Sequence, residues 1–278
     1  MDFGLNQLDK NRVVLYAVLL GLLVLFLLPL WSPLMTALKT AKQSITTPPI
    51  QPPLHPTLAT FGEALSRLDT GLKNSIIFTS VATVLSMIFG SVAGFVLTKI
   101  KFKGSRWVFL AILFGMFIPY QVVLIPLVRI MRGLGLFNTL WSLVLAHSAY
   151  GIPICTLIFR NFFGYIPDSL LESARTAGAG TWTIFRRIVL PLSKMAFVVA
   201  GIFQFTSIWN NFLFGLVLTP SQAKYPVTVA LANLKGTTSA GGFPLLMAGG
   251  FITAIPVLII YLFLGRYLMR GYMAGAVK

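Results

Sequence analysis

Two sets of residues in this 278-residue chain have the types and spacing to do chemistry. The first is Gln204, Thr206, Ser207, Trp209, Asn210 and Asn211. Amides and hydroxyls hydrogen-bond an uncharged polar ligand, and an indole adds a flat apolar face with a polar edge. Gln204, Ser207 and Asn211 fall at i, i+3 and i+7, so a helix would carry them on one face. So polar a face avoids lipid: it either glues helices together or lines a polar pathway. Tyr120 and Gln121 lie between Pro119 and Pro126, where a kink opens a helix. His147 and Tyr150 lie at i and i+3. We expect Trp209, Asn210 and Asn211 to line a cavity, with Gln204, Tyr120 and Gln121 as further candidates.

The second set lies in 161–194, too polar to cross a membrane and too regular to be a linker. Ser169-Leu-Leu-Glu172 fits a capping box, in which hydroxyl and carboxylate each satisfy an orphan amide. Pro167 just ahead suits a helix start. The helix should end at Gly178-Ala-Gly180, and Thr181 should cap a second one bearing Trp182, Phe185 and Ile188. Pro191 then introduces the next apolar stretch. Ala174, Ala177 and Gly178 are small enough to let a partner surface approach the backbone. The same pattern also fits an amphipathic helix that merely anchors the fold at the membrane face.

Catalysis and metal binding find no residues here. The six acids, Asp2, Asp9, Glu63, Asp69, Asp168 and Glu172, all lie outside the charge-free runs. A secondary carrier usually places ionisable groups in mid-membrane, and only His147 is available. A membrane hydrolase needs a nucleophile, base and orienting acid together, and His147 has no carboxylate in any run. The dipeptide Gly-Lys of a phosphate-binding loop occurs nowhere, so any ATP must be hydrolysed by another subunit. Cys155 is the single cysteine, which excludes an internal disulfide and cysteine-based metal sites.

The elements that must position these residues follow from composition. Apolar residues make up 56% and charged residues 10%, far from the ~25% charged of a soluble domain. The net charge of +16 comes from residues flanking long uncharged runs, a placement that argues against nucleic acid. Those runs are 13–31, 74–98, 107–128, 133–159, 195–223 and 236–265. About 20 apolar residues cross a bilayer core as a helix. We therefore expect an all-α membrane protein, one domain over 1–278. Its six spans should lie near 13–31, 74–98, 107–128, 137–159, 195–218 and 244–265. The first run is long for a signal peptide and lacks a small-residue cleavage site, so it reads as a retained helix. One set of flanking segments holds 14 Lys and Arg and the opposite set 8, which puts both termini in the cytoplasm. The longest external segment, 32–73, carries the proline-rich stretch 47–57, expected to be extended and solvated. Residues 61–72 read as a short helix at the membrane face.

Glu172-Ser-Ala174-x-x-x-Gly178, nine residues, then Ile188-x-Leu190-Pro191 resembles the cytoplasmic signature of binding-protein-dependent ABC importer permeases. Ser173 stands where that signature has Ala. Asn74-Ser75, the Lys99–Gly104 loop and Ile166-Pro167-Asp-Ser-Leu resemble the family too. The C-terminal stretch 265–278 resembles carbohydrate-uptake permeases of the maltose and glucose group. The resemblance implies a type I importer permease with a coupling helix between helices 4 and 5, seated in a groove of an ATPase. It assigns ATPase coupling to Glu172, Ser173, Ala174, Ala177, Gly178, Gly180, Leu190 and Pro191. It implies a second homologous permease, a different chain, and two ATPase subunits that bind ATP and Mg. It also implies an external solute-binding protein that delivers a sugar. The chain itself would carry no cofactor and sit in the inner or cytoplasmic membrane. An importer for phosphate, peptide, metal or amino acid shares the signature, so the sugar rests on the C-terminal stretch.

Overall fold

Hydrocarbon offers the backbone no hydrogen-bond partners, so charge-free stretches must satisfy themselves as helices. The computed structural model describes residues 5–100, 102–234 and 242–276, with side chains for 12–100, 102–234 and 242–265. In chain order these form α1 (Leu5–Ala37), α2 (Ala41–Thr46), α3 (Ala59–Lys99), α4 (Ser105–Phe114), α5 (Tyr120–Gly133), α6 (Leu140–Gly164) and α7 (Asp168–Thr176). There follow α8 (Thr181–Ile184), α9 (Leu190–Leu192), α10 (Lys194–Trp209), α11 (Leu213–Leu218), α12 (Val227–Leu234) and α13 (Phe243–Ala276). Four helices, α1, α3, α6 and α13, are long and apolar enough to cross a membrane unbroken. Two bent pairs raise the number to six: Ser105–Phe117 with Tyr120–Gly133 at 97°, and Thr181–Leu192 with Lys194–Trp209 at 75°. Residues 236–241 of the last uncharged run, and the side chains of the C-terminal stretch from 266, lie outside the described residues.

The chain divides into two units by its contacts, residues 1–68 with 231–252, and 69–230 with 253–278. In the first, α1 runs through Pro29 and Pro33 without a break, and its most apolar stretch is wholly unburied. The proline-rich stretch is mostly exposed, as expected, but it is tethered at three points. Trp31 Nε1 donates to Ile50 O at 3.0 Å, and Thr57 N donates to Leu38 O at 2.9 Å. Lys39, fully buried, donates to Pro48 O at 2.6 Å. Proline segments lack amide donors, so side chains strap this one down.

The expected short helix at 61–72 is instead the first part of α3, a single helix of 41 residues. Its charges obscured that continuity. Glu63 pairs with Arg67, and Asp69 with Lys73, each at 2.7 Å and i,i+4 spacing, which supports a helix outside the hydrocarbon.

In the second unit, Gly90 and Gly94 form a Gly-x-x-x-Gly face on α3. A Cβ at Gly94 would come within 2.9 Å of Arg160 N and Phe159 Cβ, and one at Gly90 would collide with Cys155. Backbones of α3 and α6 therefore approach directly, as small residues permit. Above this contact Gln204 Nε2 donates to Ser86 Oγ at 3.2 Å and His147 O at 3.4 Å. Asn74 donates to the carbonyls of Ala223 and Tyr225 at 3.0 and 3.1 Å, and Ser75 Oγ accepts from Val227 N at 2.8 Å. That pair orients the entry to α12.

The third and fifth spans, expected over 107–128 and 195–218, are broken helices, the third at the proline-flanked position where a kink was expected. Pro119 ends the first half of one, because it offers no amide and holds Ile118 extended. The other breaks at 210–212, between α10 and α11.

Candidate functional site

Helix α7 begins with Pro167 as its N-cap, at φ −59° and ψ 133°, and no side chain caps it. The expected capping box is therefore absent: the helix starts at Asp168, two residues early, and Ser169 already lies inside it. Asp168 Oδ1 instead accepts from Lys99 Nζ at 2.7 Å, and Lys99 also donates to Ile166 O at 2.6 Å. Ser173 and Thr176 donate back to the carbonyls of Ser169 and Glu172 at 2.9 and 3.1 Å. The Glu172 carboxylate is exposed and makes no hydrogen bond or ion pair among the described residues. It is free for a partner rather than spent on its own helix.

The C-terminal end of α7 is a Schellman motif. Gly178 sits at φ +83°. Its N–H bonds Arg175 O at 2.9 Å, and the Ala179 N–H reaches back to Ala174 O at 2.9 Å. Ala174 and Ala179 both pack on the apolar cluster beneath. Leu171, Ile184, Phe185 and Val189 are the buried feet of the segment, in one cluster with Phe95, Phe159, Phe163, Ala196 and Ala200. Leu171 and Ala174 thus face inward, while Glu172, Ser173, Thr176, Ala177 and Gly178 face out. The outer face of this amphipathic helix thus carries small exposed residues and one free carboxylate.

Thr181 is the first residue of α8 and not its cap, which is Gly180 in extended conformation. Residues Phe185–Val189 form a π turn before Leu190-Pro191. Proline clashes with the carbonyl four residues back and cannot donate to it, and the widened turn absorbs that defect. Leu190 is half-buried against the cluster, and Pro191 is exposed. The second half-motif therefore shapes the turn into α10, whereas the first leaves Glu172, Ser173, Ala177 and Gly178 exposed.

The polar candidates of the membrane region separate into two groups. Trp209, 2% exposed, is packed inside, donates its indole N–H to Thr253 O at 3.0 Å and stacks on Phe205 at 5.7 Å. In this structure it is therefore a packing residue, unlike the exposed Asn210. Gln204 is buried as interhelical glue. Asn211 lies beyond the end of α10 and does not share its face with Gln204 and Ser207. Its Oδ1 accepts from Phe214 N at 3.0 Å, and its carbonyl accepts from Thr228 Oγ1 at 3.0 Å. An amide after a helix break seeks the orphan N–H of the next helix. Asn210, Tyr120 and Gln121 remain exposed. Tyr120 opens α5 after the 97° bend and meets Phe214 edge-on at 5.8 Å, beside Tyr150 at 5.5 Å and His147 at 5.1 Å from the same ring. Phe214 and Lys99 were missed in the sequence: an apolar Phe in an apolar run, and one Lys in a basic cluster, carry no local signal.

Residues 59–273 match the family model described as binding-protein-dependent transport system inner membrane component. A probable ABC transporter permease of Pyrococcus horikoshii is 51% identical over 187 residues, 67% of this chain and 68% of that protein. The xylose/arabinose import permease XacI of Haloferax volcanii is 36% identical over 240 residues, 79% of this chain and 78% of that one. Among solved structures, a bacterial ABC transporter involved in import of the acidic polysaccharide alginate superposes with a TM-score of 0.78. It has 25% identity and covers 93% of this chain and 97% of the other.

Proposed function

The chain belongs to the inner-membrane components of binding-protein-dependent transport systems, and from that premise we propose that it takes up an uncharged sugar through an ATP-driven importer. It is a multi-pass ABC transporter permease, a transport subunit served by a separate ATPase. In the proposed assembly it pairs with a second, similar permease, stands on two ATPase subunits and receives sugar from an external binding protein. Both termini lie in the cytoplasm, on the side of α7. ATP and Mg belong to the ATPase. Closure of the ATPase dimer pushes on the outward face of α7, and the permease pair exchanges its inward-open packing for an outward-open one, a rigid-body switch between two packed states.

The observation that carries this reading is the free Glu172 carboxylate on an exposed, small-residue helix face. Ser173, Ala177 and Gly178 beside it let an ATPase surface approach the backbone, and Leu190 and Pro191 set the bend below. The sugar is supported by the likeness to a xylose/arabinose permease over most of the chain. On the pathway, Asn210 and Gln121 supply hydrogen bonds and Tyr120 a stacking face at the broken third and fifth spans. The test is uptake of radiolabelled xylose, arabinose and maltose into proteoliposomes holding the whole transporter and its binding protein. ATP-dependent uptake of at least one, with none of methionine, is expected. Uptake of methionine and of none of the three sugars would overturn the cargo.

A further inference from the structure

The last residue of α3 and the first of α7 are joined by a buried charge. Lys99 has a side chain only 4% exposed, while that of its partner Asp168 is 65% exposed. The ammonium is met by two oxygens, Ile166 O and Asp168 Oδ1, both from the entry to α7. A buried cation stripped of its partners is strongly unfavourable, so the end of α3 and the start of α7 do not part freely. One residue earlier, Thr98 Oγ1 donates to Gly94 O at 2.6 Å and to Arg160 O, near the end of α6, at 3.4 Å. Through Gly90 and Gly94, α3 already lies backbone-to-backbone on α6. A cleft of about 290 Å3 lies between the end of α3 and α7, lined by Thr98, Lys99 and Ile100 on one side and Asp168, Leu171, Glu172 and Arg175 on the other. The ammonium is the polar bridge across that cleft.

We propose that Lys99 is a positioning residue that transmits movement of α7 to α3, and with it to the α3–α6 pair. The proposal rests on the reading of α7 as the helix that the ATPase pushes. A push on α7 draws the end of α3 along only while the ammonium holds Asp168 and Ile166. Without it, α7 shifts across the open cleft and the ATPase turns over with no change in the membrane helices.

The experiment uses the assembled transporter in proteoliposomes with a reporter cysteine, Ser207→Cys, at an exposed position of α10 outside the proposed sugar contacts. The one native cysteine, Cys155, is buried, so an impermeant maleimide reads the reporter. ATPase rate and the change in labelling between nucleotide-free and ATP–vanadate states are measured in Lys99→Met, Lys99→Arg and Glu172→Ala. The parent should change its labelling several-fold. Lys99→Met should keep hydrolysing ATP while losing that change, and Lys99→Arg, which restores the cation, should regain it. A Lys99→Met reporter that responds like the parent overturns the proposal. So does loss of hydrolysis and response together in both Lys99 variants, which marks a merely structural lysine. If Glu172→Ala loses the response and Lys99→Met keeps it, the strut alone is wrong. If Glu172→Ala also responds like the parent, the reading of α7 itself has failed.

Discussion

At Gly178 the backbone φ is +83°, and a Cβ placed there would meet no atom within 4 Å. The glycine is required by its dihedral and not by crowding within the chain. A residue with a Cβ pays roughly 1–2 kcal/mol in that region, and Asn pays less. Gly178→Ala should therefore lower the thermal stability of the purified subunit, with Gly178→Asn between it and the parent. If uptake follows the same order, the residue acts as a helix terminator. If both variants lose uptake completely, close approach of a partner is the stronger demand. The motif was legible in sequence because its spacing is unusual. The capping box was misread, because Ser-x-x-Glu describes two local hydrogen bonds and Asp168 is held by Lys99, 69 residues away. In the membrane, Asn210→Ala and Tyr120→Ala should alter uptake affinity, with little effect on stability. Trp209→Phe, which removes the indole donor to Thr253 O, should cost about 1 kcal/mol of stability and leave affinity near the parent value. Reversed effects, measured by uptake kinetics and thermal unfolding, would return Trp209 to the pathway.

Among elements, the unbroken spans were readable, the break of the third span was signalled only by its prolines, and the break at 210–212 was not signalled. Lack of charge marks where a chain enters hydrocarbon, but it does not tell a straight helix from one turned by 97° at Pro119. The reverse error occurred in α3, where paired charges at i and i+4 disguised a continuing helix as a boundary. The contact of α3 with α6 makes a quantitative prediction. Gly90→Leu or Gly94→Leu forces a side chain into occupied space, and overpacking typically costs about 1–3 kcal/mol. Gly62→Leu, on the same helix with nothing within 4 Å of its Cβ, should be near neutral. Thermal unfolding in detergent checks the pair, and equal effects at the two sites would remove the Gly-x-x-x-Gly contact from the account.

On the scale of the whole molecule, the account stands on which way the chain faces and what meets α7. The proposed orientation, with α7 in the cytoplasm, rests on the 14-to-8 bias of Lys and Arg. The free carboxylate and small residues on its outer face suit a protein partner better than lipid. The amphipathic pattern alone did not separate that reading from a helix lying on the membrane; only the spaced signature from Glu172 to Pro191 did. The Schellman turn, the buried feet and the exposed Glu172 give the face its fixed shape. The measurement that bears most directly on the claim is photo-crosslinking from position 173 in the assembled transporter, with a benzophenone attached through Ser173→Cys. An adduct with the ATPase subunit, and no modification of that cysteine by an impermeant reagent outside intact cells, is the predicted result. Labelling from outside, or adducts with lipid alone, would contradict the account.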